Sequence, residues 1–343
     1  MLRLAWETIS LATTFPFAIA RWGYAGHQNV IVTVTDDDGM TGIGEAAPNR
    51  YYGESVDSVI AALERYADVL RDADPEALEA NETALLAALR GNTSARAALS
   101  TALHDLCARR LGLPVYRLWG LSASPTPVSS YTVGIADDAG IRARVLAAAD
   151  YPILKIKLGT DRDEAILEIV RDAAPHKRLR VDANAAWTPS HAVQMASRLQ
   201  AFGVEMLEQP VSAHDIDGLR YVRERSPIPV VADESCLVAT DIPRLAGACD
   251  GINIKLAKCG SLREAMRMIH VARAHGMRVM AGCMIESSVG ISAIAQLAPL
   301  LDDADFDGAA LLADDPYTGV TIPNGVVTLT TEPGIGARRR HET

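Results

Sequence analysis

Apolar and polar positions along the chain fall into two regimes. Val30–Thr35 (VIVTVT) alternates and runs into Asp36–Gly39, which predicts a strand ending in a hairpin turn. Thr41–Pro48 (TGIGEAAP) reads as the returning strand. From Ser55 to about Leu111 the apolar spacing becomes helical, in three segments broken near Asp72–Pro75 and Gly91–Thr93. These elements make an α+β unit of about 110 residues.

From Val128 short apolar runs alternate with helical stretches. The runs are SSYTVGI, ILKIKLG, LRVDAN, VEMLEQP, PVVADES, GINIKLAK, RVMAGCM and ADFDGAA, eight strands with room for a helix between each pair. Runs of this kind suit parallel strands covered on both faces. Strand and helix alternating eight times predict an α/β fold, a (β/α)8 barrel of the TIM type. An open doubly wound sheet is the competing arrangement, but no GxGxxG or GxxxxGK[ST] follows any of these strands.

Composition narrows the classes. The chain has 343 residues, 49% hydrophobic and 22% charged, the balance of a globular protein with room for two domains or a barrel plus an appendage. A formal charge of −10, from 33 basic and 43 acidic residues, argues against a nucleic-acid partner. The basic run Arg338–Arg340 is expected to be a frayed, solvated end. Five cysteines without a CxxC pair read as reduced thiols, not as disulfides or a zinc site. No secretory signal and no uninterrupted apolar span long enough for a bilayer is visible, so a cytoplasmic protein without a membrane partner is expected. A homo-oligomer is compatible with these numbers.

The chemistry shows in the spacing. Lys157, Asp182, Glu208, Asp233 and Lys255 each stand at or just after the end of a strand-like run, at steps of 25, 26, 25 and 22 residues, about one βα unit each. Parallel barrel strands point the same way, so all five side chains should converge on the C-terminal mouth. One such carboxylate is an ordinary loop residue; five groups in phase are not. Asp182, Glu208 and Asp233 would repel one another without a cation, and all-oxygen donors favour Mg²⁺. Asn184 is placed to support them or to touch substrate. Lys157 ends the second strand and Lys255 lies on the sixth, diametrically opposite in a ring of eight. A carboxylate-bearing substrate on Mg²⁺ would then have its α-carbon between two ammonium groups. One lysine removes the proton, the other returns it from the opposite face, and Mg²⁺ stabilises the enediolate between the steps. Lys155, with the cation, should lower the pKa of Lys157.

The motifs KIK (155–157), VDAN (181–184), LEQP (207–210), ADES (232–235) and NIKLAK (253–258) resemble the muconate-cycloisomerase subgroup of the enolase superfamily. The likeness covers nearly the whole chain. It implies an enolase-like barrel over 116–319 and a capping domain over 1–115, completed by 320–343, that closes the barrel mouth. It also implies Asp182, Glu208 and Asp233 as Mg²⁺ ligands, Lys157 and Lys255 as the acid/base pair, and Lys155 as support.

Several reactions share these motifs, among them muconate cycloisomerisation, o-succinylbenzoate synthesis, N-acylamino acid racemisation and dipeptide epimerisation. Asp305 and Asp307 on the eighth strand share a face by alternation. Two carboxylates there would repel a dicarboxylate and favour an ammonium group, such as a dipeptide's amino terminus. ADFDGAALLADDP, with FAIAR (17–21) and RYYGES (50–55), is similar to dipeptide epimerases, especially those acting on L-Ala-D/L-Glu. The expected activity is therefore Mg²⁺-dependent epimerisation of a dipeptide's C-terminal residue, Glu or another, with the N-acylamino acid racemase group as the alternative. In the family a flap loop, here Ala20–His27, contacts the residue being epimerised. Arg21 could pair there with a Glu side chain or be structural; Tyr24 would admit an aromatic or apolar one. Thr132 and Met284 are further pocket candidates.

Overall fold

The computed structural model describes residues 1–24 and 26–340; Ala25, residues 341–343 of the expected cap and the side chain of Tyr24 lie outside the described part. The N-terminal unit is an antiparallel sheet in the order β1 (Arg3–Leu11), β4 (His27–Thr35), β5 (Thr41–Ala46). The β4–β5 turn forms because the Asp36 carboxylate accepts from the amides of Asp38 and Met40 at 3.0 and 2.9 Å. Val30, Val32 and Val34 on one face of β4 are fully buried against α1 (Val56–Leu70) and α3 (Thr93–Arg110). Between these helices runs α2 (Leu78–Ala88). Gly44 is required where α3 seats on β5: a Cβ there would stand 2.0 Å from the Ala98 carbonyl oxygen. The segment expected to be a flap loop is largely a hairpin, β2 (Phe17–Ile19) paired with β3 (Trp22–Tyr24). Its small and aromatic composition hides the strands, which pair over only three residues each.

The eight expected barrel strands are all present: β6 (Tyr131–Val133), β7 (Ile153–Lys157), β8 (Arg178–Asp182), β9 (Val204–Glu208), β10 (Val230–Ala232), β11 (Gly251–Ile254), β12 (Arg278–Gly282) and β13 (Asp303–Asp305). They form one parallel sheet in sequential order. The strands are not uniformly apolar. Outward residues such as Leu154, Ile156, Leu179 and Val181 pack under the helices, while the inward set is Lys155, Lys157, Arg180, Asp182, Met206 and Glu208. Met206, Val231 and Met280 plug the floor. The β10–β11 crossover carries a 3-10 turn at Ala239–Asp241 and a short helix, Ile242–Leu245.

The ring closes at a thin seam. Ser129 and Ala304 form an isolated parallel bridge, and side chains supply the remaining links. The Phe306 amide donates to Ser129 Oγ at 2.8 Å, and Ser130 Oγ donates to Asp305 Oδ1 at 2.7 Å. Thr132 N–H donates to Asp307 Oδ2.

Two carboxylates tie the N-terminal unit to later segments of the chain. Buried Glu45 of β5 accepts from Ser287 Oγ at 2.6 Å and from the Gly290 amide at 2.9 Å, at the N-terminus of helix Ser288–Ala295. Asp105 of α3 accepts from the amides of Ile43 and Ile335, tying the C-terminal segment to both α3 and β5. That segment corrects the expectation of a frayed basic end at 338–340. β15 (Arg338–Arg339) pairs with β14 (Tyr317–Thr318), and Arg339 bonds Glu7. Among the described residues no helix is long and apolar enough to cross a membrane.

Candidate active site at the barrel mouth

The ladder registers align the charged rungs. Lys157 lies opposite Asp182, and Asp182 opposite Glu208, so one inward face carries all three on the last paired rung. Asp233 follows β10 and Lys255 follows β11. Asp182, Glu208 and Asp233 each offer an oxygen, and these oxygens lie within 4.8 Å of one another, fully inside the protein. A hard divalent ion fits this donor set: three carboxylate oxygens, no soft ligand, and mutual repulsion to offset.

Lysines surround the cluster. Lys157 Nζ donates to Asp182 Oδ2 at 2.6 Å, and Lys255 Nζ donates to Asp233 Oδ2 at 2.9 Å. Lys155 Nζ lies 2.8 Å from Glu208 Oε2, 2.7 Å from Asp305 Oδ2 and 3.5 Å from Asp182 Oδ2. Burial opposes its charge, but Asp305, Glu208 and Asp182 override that and hold its pKa well above the ordinary lysine value. Burial likewise opposes the charge of Lys255, and Asp233 holds its pKa up. Burial raises Asp182 too, but Lys157 and Lys155 bring it down to about 2. Glu208 rises to about 7, chiefly by burial.

Spacing did not single out the residues that brace the ligands. Lys258 Nζ donates to Asp233 Oδ1 at 2.5 Å and to the carbonyls of Asp233, Cys236 and Asn253. Asn253 Nδ2 donates to Glu208 Oε1 at 2.8 Å. Gln209 Oε1 accepts from the amides of Asp233 and Ser235 at 2.9 and 3.1 Å. Asn253 shares a strand face with Lys255, and Lys258 ends the same NIKLAK motif, which was the available signal. Gln209, Asn184 and Ala185 have φ of 32°, 46° and 63°, left-handed backbone at the ends of the two strands carrying Glu208 and Asp182. Asn184 Nδ2 donates to Asp182 Oδ2 at 3.1 Å.

On β13 and beyond, Asp305 and Asp307 line the same cavity as Thr132, Lys155, Lys157 and Lys255. Both Asp305 oxygens already accept, from Lys155 and Ser130. Among the described residues Asp307 takes only the Thr132 amide as a backbone donor, and burial, then the neighbouring Asp305 charge, pushes it up to about 7. Thr132 therefore serves the site through its amide as well as its side chain. The roof comes from the N-terminal unit: Arg21, Trp22, Tyr51 and Tyr52, with Met284 on the barrel side. Asn49 Nδ2 donates to Met284 Sδ at 3.5 Å. Arg21 is engaged by the protein itself. Its Nη2 donates to Glu234 Oε1 at 2.6 Å, its Nη1 to the Asn184 carbonyl at 2.7 Å, and Tyr51 lies 4.2 Å beneath its guanidinium.

The sequence matches two family profiles. That of the mandelate racemase/muconate lactonizing enzyme N-terminal domain covers residues 6–120, and that of the enolase C-terminal domain-like fold covers 138–343. The L-Ala-D/L-Glu epimerase of Bacteroides thetaiotaomicron is 39% identical, over 94% of this chain and 84% of that one. The hydrophobic dipeptide epimerase of Roseobacter litoralis is 37% identical, over 99% of this chain and 100% of that one. The crystal structure of a dipeptide epimerase from Cytophaga hutchinsonii, complexed with Mg and D-Ala-L-Val, superposes with a TM-score of 0.94 at 28% identity, covering 99% of this chain and 96% of that one.

Proposed function

The chain belongs to the mandelate racemase/muconate lactonizing enzyme family of enolase-like proteins, and on that footing we propose that it is a Mg²⁺-dependent dipeptide epimerase acting on the α-carbon of the C-terminal residue. The observation that carries the reading is the pair Lys157 and Lys255, on strands four places apart in a ring of eight, with three carboxylates on the strands between. Asp182, Glu208 and Asp233 would hold the Mg²⁺. When bound there, the ion offsets their charge and the charge that grows on the substrate carboxylate as the α-proton leaves.

The protein's own groups do the rest. Lys157 and Lys255 face the α-carbon from opposite sides, so a proton removed by one is replaced by the other with inversion. For the forward direction the removing lysine must be neutral and the returning one protonated; reversal exchanges the roles. Lys155 stays charged between Glu208 and Asp305 and adds positive potential beside Lys157. Asp307, with Asp305 behind it, receives the dipeptide's ammonium group. Asn184 orients Asp182, Thr132 orients Asp307, and Met284 walls the cavity. The division we favour is a capping domain of residues 1–115 with 320–343 and a barrel of 116–319. A cytoplasmic setting accords with five free cysteines. The relatives' names differ in the side chain they specify, so likeness does not choose it.

The test is incubation with a dipeptide library in D₂O and Mg²⁺, read by mass spectrometry. A gain of about one dalton, one deuteron for one proton at the α-carbon, is the expected result. Exchange confined to N-acylated amino acids would replace this reading with the racemase one.

A further inference from the structure

A second cavity lies where the N-terminal unit meets the flank of the barrel, and it shares no lining residue with the one at the barrel mouth. Its volume is about 360 Å³, against about 120 Å³ at the mouth, which is room for a small molecule. Leu85 and Leu86 of α2 and Val238 of the β10–β11 crossover form its apolar side. Glu82 of α2, Arg96 of α3 and Ser261, the residue before helix Leu262–Ala274, form its polar side.

Glu82 and Arg96 are each 8% exposed, and neither charge is matched. Glu82 Oε1 accepts from Ser100 Oγ at 2.5 Å, but Glu82 Oε2 has no hydrogen-bond partner among the described residues. His104 Nδ1 stands 3.9 Å from Oε1 and does not supply the missing charge, because burial holds that imidazole at about 4, hence neutral. Arg96 Nη1 donates to the Gly91 carbonyl and the Tyr66 hydroxyl adjoins the guanidinium. No carboxylate pairs with Arg96 among the described residues. The other charges at the wall are engaged: Arg267 with Glu79 and Glu264, and Glu264 also with the Ala239 amide at 2.8 Å. A carboxylate and a guanidinium buried apart in one cavity each carry a desolvation cost that a ligand group of opposite charge would offset.

Their spacing limits the ligand. The Arg96 guanidinium lies over Gly260, where a Cβ would stand 2.9 Å from Nη2. The Glu82 carboxylate is held by Ser100 Oγ, which itself accepts from the Leu262 amide at 3.0 Å. Gly260 and Leu262 are two residues apart, so the opposite charges stand on the order of 7 Å from each other. That gap suits an ammonium and a carboxylate carried on one carbon, the first bonded to Glu82 and the second to Arg96. The substituent on that carbon then meets Leu85, Leu86 and Val238.

We propose that this cavity is a binding site for a free α-amino acid with an apolar side chain, held as a zwitterion between Glu82 and Arg96. It needs neither the metal nor the lysines of the barrel mouth, so it stands whatever reaction takes place there.

Calorimetry on the full chain with L-leucine is the test, run in excess chelator so that no metal-held carboxylate at the barrel mouth contributes. Wild type is expected to bind one leucine per chain. Isoamylamine, which lacks the carboxylate, and isocaproate, which lacks the ammonium group, should each bind at least about tenfold more weakly, the loss of one charge-assisted contact. Glu82→Gln and Arg96→Met should each weaken leucine binding by a similar factor. Leu86 is 56% exposed, so Leu86→Trp should fold normally and weaken leucine binding by crowding the cavity. No leucine binding by wild type overturns the proposal. So does binding that Glu82→Gln and Leu86→Trp leave unchanged, which would place the amino acid elsewhere. Tighter binding of L-Ala-L-Leu than of leucine, lost in Leu86→Trp, would overturn it in favour of a peptide ligand. Should Glu82→Gln or Arg96→Met fail to fold, Leu86→Trp and the two leucine analogues decide.

Discussion

Replacing Asp307 with Asn tests the amino-terminal contact in isolation. Asn keeps the volume and an oxygen for the Thr132 amide, so the seam between β6 and β13 should survive. What disappears is the negative charge facing the cavity. Asp305 cannot take over, because its two oxygens already accept from Lys155 at 2.7 Å and Ser130 at 2.7 Å. The loss for a dipeptide is then that of one charge-assisted hydrogen bond, about 1.5–3 kcal/mol in kcat/KM. That is roughly tenfold to over a hundredfold. An N-acetylated amino acid uses the same metal site and the same lysines but has no ammonium group. Its turnover, expected to be slow in wild type, should be unchanged or improved by the substitution. Steady-state polarimetry with both substrates on both enzymes gives the comparison. Equal losses for both would mean that Asp307 supports the fold of the site and not the ammonium group, and the argument above would be refuted.

Other outcomes follow from the same geometry. Lys157→Ala and Lys255→Ala should each abolish epimerisation, while each retains α-deuterium exchange for the one epimer its remaining lysine reaches; a variant that epimerises at the wild-type rate would remove its lysine from the mechanism. Excess chelator should stop turnover, and Asp233→Asn should weaken Mg²⁺ binding by calorimetry, with full activity in chelator as the contrary result. Acid stability should depend on His104 of α3, which burial pulls from 6.5 down to about 4 despite its contact with the Ser100 carbonyl. Between those values the unfolded chain binds a proton that the folded one refuses. Its stability contribution is thus complete above pH 6.5 and is lost as the pH falls toward 4, by up to about 1.4 kcal/mol per pH unit. His104→Leu should lose less stability across that window in urea titrations, and parallel losses in variant and wild type would contradict the assignment.

Strand-end spacing made the barrel legible because parallel strands convert a period in sequence into proximity in space. Lys157, Asp182, Glu208, Asp233 and Lys255 therefore group from the sequence alone. Residues that act through a partner carried no such period. Lys258 and Gln209 matter for what they bond, and the Arg21–Glu234 pair joins the cap hairpin to the far side of the barrel. The strand Arg3–Leu11 carries no clean alternation because it is a sheet edge, with Glu7 and Thr8 exposed on successive positions. The helical alternation overstated the fifth crossover, where Ile242–Leu245 spans a single turn.

The seam has a consequence for motion. β6 and β13 share one isolated backbone bridge, and the links beside it run through Ser129, Ser130, Asp305 and Asp307. On the proposed reading, the ring is thus fastened at the place where the substrate's amino end binds. A ligand drawn to Asp307 tugs on the Thr132 amide and, through it, on the closure of the whole cylinder. Amides at 129–132 and 304–307 should exchange with solvent more slowly in the loaded enzyme than in the free one, while those on the far side of the ring keep their pace. Loading would then work as a clasp, the substrate stiffening the joint that holds it.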